Sequence, residues 1–303
     1  MKALFYGTPA IALPTLDALL RRHQVVAVVT QPDRPAHRGQ KLTAPPVKQR
    51  ALEAGVPVLQ PPRLRDAEWA ERLRALGADV AVVFAFGQIL PRPVLDAPAR
   101  GSINVHASIL PRYRGAAPIA WAIMRGETET GITTFRMDEG MDTGDVLLSR
   151  AIAIGPDETA GELAERLSVL GAEVLIDTLD RLDALTPVPQ PSGTHPTAPR
   201  LKKTDGYIDW GRSAREIVDR VRGCNPWPGA LTLTHRADRV TIWRARGVGS
   251  GRINPPGMVS RHGDDIGVAT NDGVIVPVEV QPENRSRMSW PDYMRGARLA
   301  IGA

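Results

Sequence analysis

Short apolar runs alternate with longer stretches of helical periodicity over the first half of the chain. KALFYG (2–7), VVAVVT (25–30), PVL (57–59), DVAVVF (79–84) and SINVH (102–106) are each short enough for a strand and rich in Val and Ala. Near-continuous apolar strands suit a parallel sheet covered on both faces. Between the first two runs, Ile11, Leu13, Leu16, Leu19 and Leu20 fall on one side of a helix. A helix near 116–125 and strands at GITTFRM (131–137) and DVLLSRAIAI (145–154) follow. The pattern predicts an α/β domain with a doubly wound, mostly parallel sheet.

From Thr159 to about Ala184, Leu163, Leu167, Leu170, Val174 and Leu182 recur near a 3.6 period. Thr159 and Glu162 have the spacing of a capping box. Then TPVPQPSGTHPTAPR (186–200) holds five prolines, a composition that reads as a stiff linker. Beyond it a helix at about 213–222 precedes short strands: ALTLTH, RVTIWRA, GMVSRH, DIGVATN and GVIVPVEVQP. Such strands predict a small, OB-like β-barrel. The expected division is a domain over 1–185, a proline-rich linker over 186–205 and a second domain over 206–303.

Composition narrows the class. The chain has 303 residues and one cysteine, Cys224, so it forms no internal disulfide and suits a reducing compartment. It has no apolar run of the roughly 18 residues a membrane span needs. Its start, MKALFYGTPA, does not read as a secretory signal. A cytoplasmic protein without membrane contact is expected. The net charge of +5 is unevenly placed. Residues 1–199 hold 21 Lys and Arg against 22 Asp and Glu, and residues 200–303 hold 17 against 11. That excess is either a solvated basic face or a surface that meets a polyanion such as nucleic acid.

The candidate chemistry is best read by elimination. The first strand-to-helix turn, GTPA (7–10), lacks the glycines that let a backbone approach a pyrophosphate, so NAD is not expected. The six histidines are scattered and there is no CxxC, so no metal is expected. MDEGMDTGD (137–145) lacks the glutamate that closes a calcium loop. Open α/β sheets bind ligands at the carboxyl ends of their strands. Asn104 and His106 fall at such an end, and their spacing of two points both side chains the same way. An amide donor beside an imidazole suits the oxyanion and the proton of acyl transfer. Alone, the pair is too short to be specific and reads more readily as two satisfied polar groups at a strand end.

Longer strings decide between these readings. NVHASILPRYRGAAPI (104–119), followed by TGITTFRMDEGMDTGD (130–145), resembles the folate-dependent formyltransferases. TQPDRPAHRGQKLTAPPVK (30–48) and GYIDWGRSAREIVDRVRGCNPWPGA (206–230) resemble the members that act on initiator methionyl-tRNA. Two positions depart from the usual pattern: Ile109 stands where Leu is usual, an apolar exchange of similar volume, and Phe86 replaces a Tyr and so removes one hydroxyl. The resemblance implies catalysis by Asn104, His106 and Asp142. It implies a 10-formyltetrahydrofolate site lined by Phe86, Gly87, Ser108, Ile109, Leu110 and Pro111. Ser108 is then no hydrolase nucleophile, because the attacking group is the substrate amine. The resemblance also puts Arg34, Arg38, Lys41 and Lys48 of the basic loop on tRNA, with His37 as a variation inside that loop. Lys202, Lys203, Arg215 and Arg222 are the candidates in the basic module, with Arg220 beside them. A monomer is expected. The rival readings are a formyltransferase for a nucleotide sugar and a catalytically silent tRNA-binding protein. A glycinamide ribonucleotide enzyme lacks the second module, and a formyltetrahydrofolate dehydrogenase needs a further domain.

Overall fold

The computed structural model describes residues 1–36, 41–249, 251, 254–297 and 301–302. The chain folds as two compact units. The first comprises 1–118, 130–152 and 164–199; the second comprises 119–129, 153–163 and 200–303.

The first unit is built on β1 (Lys2–Gly7), β2 (Gln24–Val29), β5 (Val58–Leu59), β6 (Val80–Phe84), β7 (Ser102–His106), β8 (Glu129–Arg136) and β9 (Val146–Ala153). They form one sheet in the order β5-β2-β1-β6-β7-β8-β9. The pairs β5–β2, β2–β1, β1–β6 and β6–β7 are parallel, and β8 joins β7 antiparallel. Two further short strands, β3 (Arg34–Ala36) and β4 (Lys41–Thr43), pair with each other as a separate antiparallel hairpin inside the expected basic loop.

Side chains alternate across each strand, so one face of the sheet carries Leu4, Tyr6, Ala27, Val29, Ala81 and Val83. These pack with Ala70 and Leu73 of α3 (Ala67–Arg74) and with Val94 and Leu95 of α4 (Arg92–Leu95). α1 (Leu13–Arg22) and α2 (Pro46–Glu53) connect the strands before them, and Leu16 and Leu19 of α1 are fully buried. α5 (Pro118–Met124) lies between β7 and β8 in sequence, and α6 (Ala160–Asp180) follows β9. The capping box that opens α6 is present: Thr159 N donates to Glu162 Oε2 at 2.9 Å and Glu162 N to Thr159 Oγ1 at 3.3 Å. Gly171 lets this helix lie close on the strands, since a Cβ there would stand 3.2 Å from Val105 Cγ1 and 3.3 Å from Phe84 Cε1. That packing buries the Ile103 and Val105 side of β7, leaving Ser102, Asn104 and His106 on the other face.

The proline-rich stretch is not free chain over 186–199. Val188 and Val146 exchange hydrogen bonds of 2.8 and 2.9 Å, and Thr197 bridges Arg114. Proline removes a donor but keeps its carbonyl, and Pro196 O accepts from Tyr113 N at 2.6 Å.

In the second unit, β10 (Ala230–Leu233), β11 (Arg239–Val248), β12 (Val259–His262), β13 (Asp265–Ala269), β14 (Val274–Pro282) and β15 (Met288–Ser289) form an antiparallel sheet. Its path is β10-β11-β14-β13-β12, with β15 on β14. α7 (Ala214–Gly223) and α8 (Trp290–Ala297) supply Ile217, Val218, Val221, Trp290 and Tyr293 to the core over Val240, Ile242 and Val280. Ser213 caps α7 through Glu216. Among the described residues no helix is long and apolar enough to cross a membrane.

Candidate active site

β1 and β6 sit side by side although β2, β3, β4 and β5 come between them in sequence, so the sheet reverses its winding there. Ligands of open α/β sheets gather outside the carboxyl ends at such a point. Thr8 follows β1, Gln31 follows β2, Phe86 follows β6, and His106 closes β7. Thr8 Oγ1 donates to Phe86 O at 2.9 Å and accepts from Gln31 N at 3.3 Å.

His106 is almost fully buried, and its Nε2 lies 2.9 Å from Tyr113 O. A carbonyl only accepts, so Nε2 carries the proton and donates. The other nitrogen, Nδ1, then faces Asp142 Oδ2 at 3.7 Å. That gap is too long for a direct hydrogen bond. The ring of Phe135 meets the imidazole edge-on at 6.5 Å between centroids. Asp142 Oδ2 accepts from Gly115 N at 2.8 Å. Gly115 has φ +122, and a Cβ there would stand 2.5 Å from Ala198 O, so only glycine brings this N–H to the carboxylate. Asp142 itself has φ +55, a left-handed conformation that Asp tolerates better than most residues.

Asn104 is paired in register with Val83 on one side and Phe135 on the other. Its side chain is half-buried, and among the described residues its carboxamide has no protein hydrogen-bond partner. The arrangement thus offers an uncommitted amide donor, an imidazole of fixed tautomer, and a carboxylate beside that imidazole. Among the described residues no three His, Cys, Asp or Glu side chains gather to hold a metal.

The family model described as "Formyl transferase" matches residues 1–179, and that described as "Formyl transferase, C-terminal domain" matches residues 200–298.

The chain belongs to the formyl transferase family.

It is 50% identical over 302 residues to a methionyl-tRNA formyltransferase of Solibacter usitatus, covering 99% of this chain and 96% of the relative. A methionyl-tRNA formyltransferase of Sorangium cellulosum is 51% identical over 306 residues, covering 100% of this chain and 98% of the relative. Among solved structures, the sugar 3N-formyl transferase WlaRD, crystallised with dTDP and 5-N-formyl-THF, superposes with a TM-score of 0.69. It is 17% identical, and the match covers 94% of this chain and 99% of that one. At that identity the likeness speaks for the fold.

The expected site residues separate in the structure. His106 and Asp142 come together as described, and Asn104 shares the His106 face of β7. Gly87 is exposed at φ +87, and Ile109 and Pro111 are half-buried. Ser108 is fully buried, and its hydroxyl donates to Arg112 O at 2.7 Å. Its carbonyl accepts from Thr133 Oγ1 at 2.7 Å, which in turn accepts from Leu110 N at 3.2 Å. Ser108 and Leu110 therefore shape the loop from behind. Phe86 is 2% exposed and packs edge-on against Tyr6 at 5.3 Å, so its ring belongs to the core.

Among the basic candidates, Arg34 is exposed and donates to Gln31 Oε1 at 3.1 Å. Lys41 opens β4, and Arg38 and His37 lie outside the described residues. Lys48 is not a free cation: its ammonium binds Asp33 at 2.7 Å. Lys48, and after it Gln60, hold the Asp33 carboxyl below the usual carboxylate range. This pair ties the root of the hairpin. Lys202, Lys203 and Arg215 are exposed.

Arg222 corrects the sequence reading. Its side chain is 5% exposed and pairs at 2.5 Å with Asp219, itself 3% exposed. It also donates to Gly155 O at 3.0 Å and Glu158 O at 3.1 Å. Arg222 stands one turn beyond Val218, on the buried side of α7, and works as an internal crosslink of the second unit. Arg220 donates to Asp205 O at 2.5 Å. Sequence reasoning missed Tyr113, Arg114, Gly115 and Gln190, which surround His106 and Asp142. The nearest sign of them was the RYRGAA string; a glutamine among prolines carries none.

Proposed function

We propose that this protein transfers the formyl group of 10-formyltetrahydrofolate to the α-amino group of methionine on initiator methionyl-tRNA, the step that prepares the tRNA for translation initiation. The observation that carries the reading is the uncommitted Asn104 amide beside the His106–Asp142 pair at the carboxyl end of β7. Full-length relatives with that name support the choice of acceptor.

The neutral amine attacks the formyl carbon, and the formyl oxygen gains charge. Asn104 donates to that oxygen, a contact typically worth about 3–4 kcal/mol of barrier. The amine proton passes to His106 Nδ1, where the imidazolium is stabilised by Asp142. The bond from carbon to folate nitrogen breaks as that nitrogen takes a proton, so the site ends with the protons it began with. No covalent enzyme intermediate is required. Gly87, Ile109 and Pro111 present the folate wall, with Phe86, Ser108 and Leu110 holding it from inside.

The first unit, with its proline-rich stretch up to 199, carries the chemistry, and residues 206–303 bind tRNA through an OB-like barrel. Arg34, Arg38 and Lys41 meet the acceptor end, and Lys202, Lys203 and Arg215 meet phosphates. Lys48 and Arg222 support their neighbours. The protein acts in the cytoplasm as a monomer.

The test is to incubate the protein with 10-formyltetrahydrofolate and either methionyl-tRNA or a nucleotide-linked amino sugar. Formylmethionyl-tRNA is the expected product. Formylation of the sugar alone would replace this reading with the sugar enzyme, and binding of tRNA without any product would leave a silent binder.

A further inference from the structure

Gln190 lies in the proline-rich stretch, half-buried, and uses its whole hydrogen-bonding capacity. Its Nε2 donates to Asp142 O at 2.9 Å and to Gly144 O at 2.8 Å. Its Oε1 accepts from Arg114 Nε at 2.9 Å and Nη2 at 2.6 Å. Arg114 is flanked by the two backbone groups that touch the catalytic side chains. Tyr113 O accepts from His106, and Gly115 N donates to Asp142. The same three-residue segment is pinned from outside: Tyr113 N donates to Pro196 O at 2.6 Å, and Ala198 N donates to Arg114 O at 2.7 Å.

We infer that Gln190 and Arg114 form a positioning pair that holds the Asp142 turn against His106, so that a segment read as a spacer is part of the formyl-transfer machinery. The inference rests on the proposed function. Asp142 has φ +55, and a residue in that conformation keeps its place only where its surroundings over-determine it. Its carboxylate is fixed by Gly115 N, but its backbone is fixed by Gln190. Without Gln190, two carbonyls of the turn lose their donor and the gap of 3.7 Å between His106 Nδ1 and Asp142 Oδ2 is no longer set. Gln190 touches no substrate; it acts through Asp142. A displacement of about 1 Å in such a group costs on the order of a hundredfold in rate.

The experiment measures kcat and KM for the full chain with 10-formyltetrahydrofolate and methionyl-tRNA, alongside thermal melting. Gln190→Ala should lower kcat about 10- to 100-fold, with KM for the folate within about twofold. Gln190→Glu keeps the Arg114 partner but sets a carboxylate oxygen against the two turn carbonyls. It should lose kcat as Gln190→Ala does. Parent-like kcat in Gln190→Glu would overturn the inference, because it would show that only anchoring to Arg114 matters. The decisive arm adds Gln190→Ala to Asp142→Ala. If Gln190 acts through Asp142, the second change costs less than about twofold further. Losses that multiply would overturn the inference as a general structural defect. Parent-like activity in Asp142→Ala alone would instead overturn the role of Asp142, and with it the proposed mechanism.

Discussion

The carboxyl end of β7 and the helix α7 both carry polar side chains that the sequence marks as candidates for function. On β7 a spacing of two residues settled direction, because alternate strand positions share a face. Asn104 and His106 accordingly open to the same side, and Asp142 meets His106 there. On α7 the count of arginines said nothing about direction. Arg215 is 66% exposed and Arg222 is 5% exposed, yet both pair with Asp219. One is a solvated rim and the other is a buried crosslink. Charge composition reports how much a surface could bind, while periodicity reports which side chains are on that surface.

The largest expected effect breaks the comparison at α7. Arg222→Ala leaves the buried Asp219 carboxylate with only the solvated Arg215 beside it and takes a donor from the Gly155 carbonyl. It should lower unfolding free energy by about 3–5 kcal/mol. Arg215→Ala, on the solvated rim, should cost under about 1 kcal/mol. Urea titrations of both variants read this directly; equal stabilities would make the buried pair irrelevant. Next, Asn104→Ala should lower kcat by about 10²–10³ while moving the melting temperature little, because its amide has no hydrogen-bond partner among the described residues to lose. A large stability loss with kcat preserved would return Asn104 to a structural role.

Smaller effects sharpen the contrast between rim and interior. Binding of tRNA should weaken with salt by roughly 0.7–0.9 log units per log salt for each phosphate contact. Replacing Lys202 and Lys203 together by Ala should flatten that slope by the share of those two contacts. An unchanged slope would remove them from the interface.

The smallest effect concerns acid. Backbone and side-chain hydrogen bonds from Thr159 and the Arg244 guanidinium lower the Glu162 carboxyl from 4.5 to about 2. Because its folded value lies below its unfolded one, this stabilisation is complete above about pH 4.5 and disappears as pH falls toward 2. The difference in stability between the parent and Glu162→Gln should therefore be larger at pH 6 than at pH 3. A difference constant with pH would mean that the shift is absent.

Much of the local structure was legible in the chain. SINVH was read with the bounds the strand has, and the Thr159–Glu162 box opens the helix it was expected to open. These features are local and repeat with the period of their element. What escaped the reading depends on contacts distant in sequence. Gln190 meets Asp142 across 48 positions, and nothing in TPVPQPSG marks it. The β3–β4 pairing in the basic loop was not legible because the two strands have three residues each, too few to show alternation. Ser108 reads as an available hydroxyl in the sequence, but its proton is committed to Arg112 O. Arg222 has a readable sign, since Val218 stands one turn before it, whereas an excess of charge carries no information about placement.

The central claim is that an amide, an imidazole and a carboxylate act together on one formyl carbon. Single-turnover transfer from 10-formyltetrahydrofolate to methionyl-tRNA by His106→Ala, with folding verified by circular dichroism, tests it most directly. The rate should fall by at least about a hundredfold; a rate within a few-fold of the parent would contradict the account.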